Sequence, residues 1–291
     1  MNNLLKPEYL WRPMQILRRL SFQPSNDANL YLPWKCTINA CSAETIGRSI
    51  ATQGVYDLPL TEAIMRLTDE GDTALDVGAN IGYMSLVLAL SAGGRGRVLC
   101  FEPNPALLPR LTANVSSWKS LPHTAPIEIH TAALSDQDGN GYLSLPDDYA
   151  QNSGVASLEE KGTVPVRVCR LDSLDIGSAG VMKVDVEGHE SAVFSGSRNL
   201  LANKRIRDIL FEEHQPYPAP SHRILLEHGY QIFRLTRSAW RPLILPAEAP
   251  SRQAYLPSNF LATRDPSRVH ARFQPWGWYA LTAGPHRKNA G

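Results

Sequence analysis

From residue 72 onward, short apolar runs alternate with helical stretches, and this alternation restricts the chain to parallel βαβ units more tightly than any other feature of its sequence. Residues 74–77 read as a first strand and 83–90 as its helix; residues 97–101 and 106–115 repeat the unit. Residues 127–133 supply a third strand. Residues 181–186 supply a fourth, followed by a helix over 190–201, and residues 208–211 a fifth. A helix over 221–228 and a strand over 230–235 close the series. Two more runs, 141–145 and 163–168, alternate as strands around a polar Asn152-Ser153-Gly154 stretch and break the rhythm as a hairpin-like insertion. The expected fold is α/β, a doubly wound, mostly parallel Rossmann-like sheet with an N-terminal helical extension and a β insertion.

Three regions emerge from this reading: a helical extension over 1–70, the core over 71–240, and a proline- and aromatic-rich cover over 241–291. The extension opens with Leu10, Met14 and Leu17 at helical spacing beside Arg12, Arg18 and Arg19, a pattern that suits either a membrane surface or a short amphipathic helix laid on the core. Pro13 interrupts the stretch, which favours the covering helix. Residues 43–49 and 60–67 also read as helices. The aromatics Trp240, Tyr255, Phe260, Phe273, Trp276, Trp278 and Tyr279 point to an ordered cover rather than a linker. Packing is the favoured use of Trp276, Trp278 and Tyr279, ahead of lining an apolar acceptor pocket.

The 29 basic and 28 acidic side chains nearly cancel, so there is no global footprint for nucleic acid, and a small molecule is the expected partner. Cys36, Cys41, Cys100 and Cys169 form no C-x-x-C pair, which fits a reducing compartment. No apolar run approaches the roughly 18 residues of a membrane span, and no signal-peptide pattern opens the chain. The expected location is cytoplasmic. Nothing in the sequence speaks to oligomeric state.

Asp76-Val77-Gly78-Ala79-Asn80-Ile81-Gly82 joins the first strand to its helix, at the carboxyl end of the sheet where open α/β folds bind ligands. Gly78 and Gly82 allow close backbone approach, and Asn80 tolerates positive φ. Asp76, ahead of the first glycine, would repel a pyrophosphate but suits a ligand carrying an ammonium and a sulfonium, which favours S-adenosylmethionine over a dinucleotide. Asn80 also breaks the G-x-G-x-x-G pattern that a nicotinamide oxidoreductase needs. Glu102 ends the second strand, followed by Pro103 and Asn104, where a carboxylate can accept hydrogen bonds from ribose hydroxyls. Leu134 and Asp136, after the third strand, are candidates for the adenine pocket; a turn cap explains Asp136 equally well.

The motifs LDVGANIGY, FEPNP, AALSDQDG, MKVDVEGHE and FEEH, spread over residues 45–235, resemble the FkbM family of methyltransferases. LDVGANIG is common to class I methyltransferases; K-x-D-x-E-G-x-E, here Lys183 to Glu190, is more specific to this family. The resemblance implies the class I fold, S-adenosylmethionine, and O-methylation of a small-molecule hydroxyl on a sugar, polyketide or other specialised metabolite. Methylation of nitrogen or of a macromolecule is the alternative.

A hydroxyl acceptor needs a base near the ends of strands four and five. Lys183, Asp185 and Glu187 fall on one side of the fourth strand by alternation, and Glu212-Glu213-His214 ends the fifth. His214 is the first candidate base because its ordinary pKa of about 6.5 suits proton abstraction near neutrality. Glu187 or Glu213 would orient it or act directly. A structural ion-pair network around Lys183 is the competing reading. Asp185, Glu212 and Glu213 also offer hard oxygen ligands to a divalent metal, which the family motif does not imply, so no metal is assigned. His189 reads as a helix-start residue, and His123, His130, His222 and His228 as surface or packing residues. Asp57 reads as the cap of the helix that comes after it, with a cofactor contact as the second option. Asn152 and Ser153 fit either an acceptor pocket or an exposed turn.

Overall fold

The computed structural model describes residues 6–144, 157–159, 162–250 and 257–282. Strands β1 (Thr73–Val77), β2 (Arg97–Phe101), β3 (Ile127–His130), β4 (Ala179–Val184), β5 (Ile206–Glu212), β6 (Gln231–Arg237), β7 (Pro242–Pro246) and β8 (Asn259–Thr263) form one sheet in the order β7-β6-β8-β5-β4-β1-β2-β3. The run from β3 to β5 is parallel, and β8 enters antiparallel between β5 and β6. The chain moves from β1 outward to β2 and β3, then returns to β4 on β1's other side. This reversal opens a crevice at the carboxyl ends of β1 and β4. The fold is the Rossmann-like one of class I methyltransferases.

Both faces of the sheet are covered, so its central strands are apolar on both sides. Ala74, Cys100, Val181, Leu210 and Leu261 pack on the face carrying helices α1 (Thr45–Gln53), α2 (Leu58–Leu67), α3 (Tyr83–Ala92) and α4 (Leu108–Trp118). Leu75, Val77, Met182, Val184 and Phe211 pack on the other, against α5 (Glu190–Ser195) and α6 (Pro220–Glu227). α3 is apolar all round and wholly buried, wedged between sheet and α2. Asp57 caps α2 by accepting the Leu60 N–H at 3.1 Å, a contact worth about 1 kcal/mol.

Several boundaries differ from those expected of the sequence. The expected helix over 190–201 is two, α5 and a short one over Arg198–Ala202; between them lies Gly196, where the Ser135 carbonyl leaves no space for a Cβ. The third strand stops at His130; Ala133–Leu134 instead joins a small sheet with Val164–Cys169, Gly139–Ser144 and Ser157–Glu159, the β insertion. Asn152, Ser153 and Tyr255 lie outside the described residues. The extension contains a hairpin, Ala28–Tyr31 with Thr37–Ala40, as well as helices.

Residues after 240 do more than cover the core. β8 lies inside the sheet, and helix α7 (Pro266–Phe273) packs on α2. Two buried charges of α2 anchor the segment that runs on from α7. Glu62 and Arg66 pair at 2.8 Å; Arg66 donates to the carbonyls of Arg272, Pro275 and Gly277, and Glu62 accepts the Tyr279 and Ala280 N–H groups. These bonds satisfy backbone groups that would otherwise be buried without partners. Met14–Leu20 is helical and packs on α1, with Gln15 buried and Met14, Leu17 and Leu20 exposed.

Candidate active site

The turn after β1 is shaped by the chain that crosses it. Gly78 has φ +77°, and a Cβ there would overlap the Asp185 carbonyl oxygen, so only glycine fits. The Gly78 and Ala79 N–H groups both donate to the Phe101 carbonyl at 3.0 Å, locking the turn to the end of β2. Asn80 takes φ +52° and donates its N–H to Glu102 Oε2 at 2.7 Å, while Glu102 Oε1 accepts the Asn104 N–H at 2.8 Å. Burial pushes the Glu102 carboxyl up to about 7, against the pull of those two donors.

Gly78, Ala79, Asn80, Phe101 to Asn104, Ala132 to Leu134, Lys183, Asp185 to Glu187 and His189 line one cleft. Thr45, Ile46, Tyr56 and Tyr83 close its far wall. The cleft opens to solvent along one side, so a ligand can enter it from the carboxyl ends of β1 and β4. The extension therefore builds part of the site. Tyr56 donates its N–H to the Tyr83 hydroxyl at 3.2 Å and the rings meet edge to face at 5.9 Å, an arrangement no local motif announces. Burial, with Asp185, Asp57 and Glu212 nearby, lifts the Tyr56 phenol well above its ordinary range.

Asp76 corrects the expectation placed on it. It is fully buried and absent from the cleft lining; Oδ2 accepts from Ser85 Oγ at 2.5 Å and Oδ1 lies 3.2 Å from Lys183 Nζ. Lys183 also donates to the Gly78 carbonyl at 2.7 Å and stands 3.8 Å from Asp185 Oδ2. Burial disfavours its charge, yet Asp76, Asp185 and Glu102 outweigh that and hold its pKa above the ordinary value. Lys183 is thus a buried peg that ties β1, the cofactor turn and β4 together. Gly82, at φ +90°, is likewise off the cleft, facing Leu111 and Trp118.

Beyond β4 the chain turns sharply. Glu187 adopts φ +52° and Gly188 φ +93°, and the Glu190 carboxylate gathers the turn by accepting the Val186 and Gly188 N–H groups at 3.3 and 3.2 Å. Glu187 lines the cleft and is an exposed residue; partial desolvation and then Asp185 raise its pKa, with His214 pulling the other way. Burial and then Asp185, Asp57 and Glu187 push Glu212 up to about 8. Asp57 is lifted to about 6 by burial. His189 starts α5, as expected, but also lines the cleft, its Nε2 2.8 Å from Ser135 Oγ; burial holds its pKa down.

The remaining sequence candidates fall elsewhere. His214 has a side chain 64% exposed, lies outside the cleft lining and meets Glu212 at 3.5 Å, because the chain leaves the sheet after Glu212. Glu213 is buried, accepting from Ser221 Oγ at 2.5 Å and from the Gln215 N–H at 2.8 Å, so it is engaged away from His214. Asp136 accepts from Ser135 and stays off the lining, whereas Leu134 is part of it. Trp276, Trp278 and Tyr279 do not line the cleft; Trp278 is core and Trp276 is exposed. Among the described residues, no group of three or more His, Cys, Asp or Glu is arranged to hold a metal ion.

A reversed parallel sheet, a glycine turn at its switch point and an acid ending the second strand define a class I S-adenosylmethionine-dependent methyltransferase. The Methyltransferase FkbM domain model matches residues 76–232, more than half of the chain, which belongs to that family. The hexuronic acid methyltransferase AglP of Haloferax volcanii is 28% identical over 164 residues, covering 55% of this chain and 63% of AglP. The AMB antimetabolite synthetase AmbE of Pseudomonas aeruginosa is 27% identical over 207 residues, 54% of this chain but 9% of AmbE. The chain thus spans less than two thirds of either curated relative. A solved FkbM methyltransferase from Methylobacillus flagellatus KT superposes with TM-score 0.44 at 16% identity, covering 66% of this chain and 43% of that one.

Proposed function

We propose that this chain methylates a hydroxyl group of a small polyhydroxylated molecule, a sugar in the first instance, with S-adenosylmethionine as donor. The observation that carries the reading is the cleft itself, whose lining joins Glu102, the Gly78 turn and the acids Asp185 and Glu187. The partial match to a hexuronic acid methyltransferase supports a sugar acceptor.

In this reading Glu102 holds the ribose hydroxyls, and the donor set fits. Its carboxylate lies in the lining with only two backbone donors on it, leaving acceptor capacity on each oxygen. Pro103 and Asn104 complete that wall, while Phe101, Ala133 and Leu134 supply the apolar surface an adenine ring needs. Gly78, Ala79 and Asn80 let backbone approach the methionine end, with Asp185 and Tyr56 across from them. S-adenosylmethionine supplies an electrophilic methyl group. The protein then has to align the acceptor oxygen and take its proton. Glu187 is the proposed base: it lines the cleft, and partial desolvation beside Asp185 makes it more basic than an ordinary glutamate. His214, paired with Glu212 at the rim, is proposed to receive the proton from Glu187 and pass it to water. Lys183 and Asp76 are proposed as positioning residues: Lys183, at the edge of the cleft, ties the Gly78 carbonyl to Asp76, which lies off the lining. No step requires a divalent metal.

A methyl-release assay across free sugars, uronic acids and phenols tests the reading. Glu187→Gln should lower kcat by about 10²-fold or more while cofactor affinity stays unchanged. Calorimetric binding of NAD in place of S-adenosylmethionine would refute the cofactor assignment. Undiminished turnover in Glu187→Gln would refute the base.

A further inference from the structure

The helix Met14–Leu20 lies inside out. At about 100° per residue, Met14, Leu17 and Leu20 share one face spanning about 120°, and they are 67%, 57% and 78% exposed. Gln15 projects from the opposite side and is 2% exposed, so the polar residue faces the protein and the apolar stripe faces water. Leu10, at 43%, extends the stripe across the break at Pro13.

The patch continues onto the C-terminal part of the chain. Trp11 meets Trp240 edge to face with ring centroids 6.5 Å apart, and its indole N–H donates to the Ala239 carbonyl at 3.1 Å. The Trp240 carbonyl accepts the Gly277 N–H, and the Arg241 guanidinium lies 5.8 Å from the Trp276 ring centroid. Trp240 and Trp276 are 52% and 71% exposed. Six of the nine large exposed hydrophobic residues among those described thus fall on one surface.

The charges on this surface have one sign. Arg18, Arg19 and Arg241 belong to it, while Arg12 turns its Nη1 inward beside Gly54, and neither residues 9–22 nor 238–241 nor 276–278 contain an aspartate or glutamate. The preceding Glu8 is buried and paired with Arg237 at 2.5 Å. A chain with a net charge of only +1 thus places Arg18, Arg19 and Arg241 beside these exposed apolar residues. Leucine and methionine on one helix face, flanking arginines and tryptophans at the edge are what the interfacial layer of a bilayer accepts, and the arginines complement anionic headgroups.

We propose that this surface docks the protein peripherally on an anionic lipid bilayer. The helix Met14–Leu20 packs on α1, whose first residues Thr45 and Ile46 line the cleft, so docking holds that wall of the cleft near the membrane. The proposal stands independently of the methyl acceptor.

Sedimentation of the full chain with two kinds of vesicle tests it: phosphatidylcholine alone, and phosphatidylcholine mixed with phosphatidylglycerol. Binding is expected to the mixed vesicles and to fall as salt is raised. Arg18→Ala should weaken it about fivefold, and Leu17→Ser with Leu20→Ser about tenfold or more. Unchanged melting temperature and S-adenosylmethionine affinity show that these exposed variants remain folded. No binding to mixed vesicles, or equal binding to both kinds, overturns the proposal. So does a dimer that the leucine variant dissolves in a chain that ignores vesicles, since the surface would then seat a second copy.

Discussion

Replacing Lys183 by methionine leaves the buried Asp76 carboxylate with Ser85 as its one remaining side-chain partner among the described residues. Asp76 has no exposed surface, and its oxygen 3.2 Å from Lys183 Nζ loses the opposite charge that compensates its burial. Removing one member of a buried pair costs about 3–5 kcal/mol, a large part of a total stability of about 5–15 kcal/mol. Asp76→Asn should cost less, about 1–2 kcal/mol, because Lys183 keeps the Gly78 carbonyl at 2.7 Å and Asp185 at 3.8 Å. The double variant carries no charge at either position and leaves chiefly the Gly78 carbonyl short of a donor. Its cost should also be about 1–2 kcal/mol. The cycle therefore predicts a coupling of about 4 kcal/mol, with the second substitution rescuing the first. Urea unfolding of the four proteins, followed by tryptophan fluorescence and extrapolated to water, measures it. Additivity within about 0.5 kcal/mol would refute the account of Lys183 as the counter-charge of Asp76.

The same geometry sets three further outcomes. Ribose hydroxyls hydrogen-bond best to ionised Glu102, whose carboxyl sits at about 7; S-adenosylmethionine should thus bind about tenfold more tightly at pH 8 than at pH 6. Glu102→Gln should flatten that dependence in calorimetric titrations. Gly78→Ala places a Cβ into the Asp185 carbonyl at φ +77° and should abolish detectable cofactor binding, with a loss of stability of about 2 kcal/mol or more by thermal melting. Glu212, raised to about 8 in the folded chain, opposes folding progressively as pH climbs from its unfolded value of about 4.3 through 8. Glu212→Gln should therefore raise stability at pH 8.5 by roughly 1–2 kcal/mol after allowance for partial exposure, and leave it unchanged near pH 4.

Much of the fold is legible in the chain because its determinants are local. Short apolar runs and helical apolar patterns mark β1 to β5 and their helices, and the turn at Gly78 to Asn80 declares itself through residue types that accept positive φ. Glu102, Pro103 and Asn104 are legible for the same reason: they end a recognisable strand. The strand β8 is not, since a segment late in the chain can enter the middle of a sheet only through non-local pairing that no window of sequence contains.

The site shows the same division. The sequence by itself determined which acids stand at which strand ends, for strand position is set by local pattern. Only the tertiary structure decided what each acid meets there. Lys183 reaches from β4 to pair with Asp76, which lies off the cleft lining. Strand alternation and the exit after Glu212 turn Glu213 to Ser221 and His214 toward water. Tyr56 and Tyr83, separated in sequence, meet across the cleft wall. Charge compensation and burial are properties of neighbours in space, and a linear pattern records neighbours in space only when they are also neighbours in the chain.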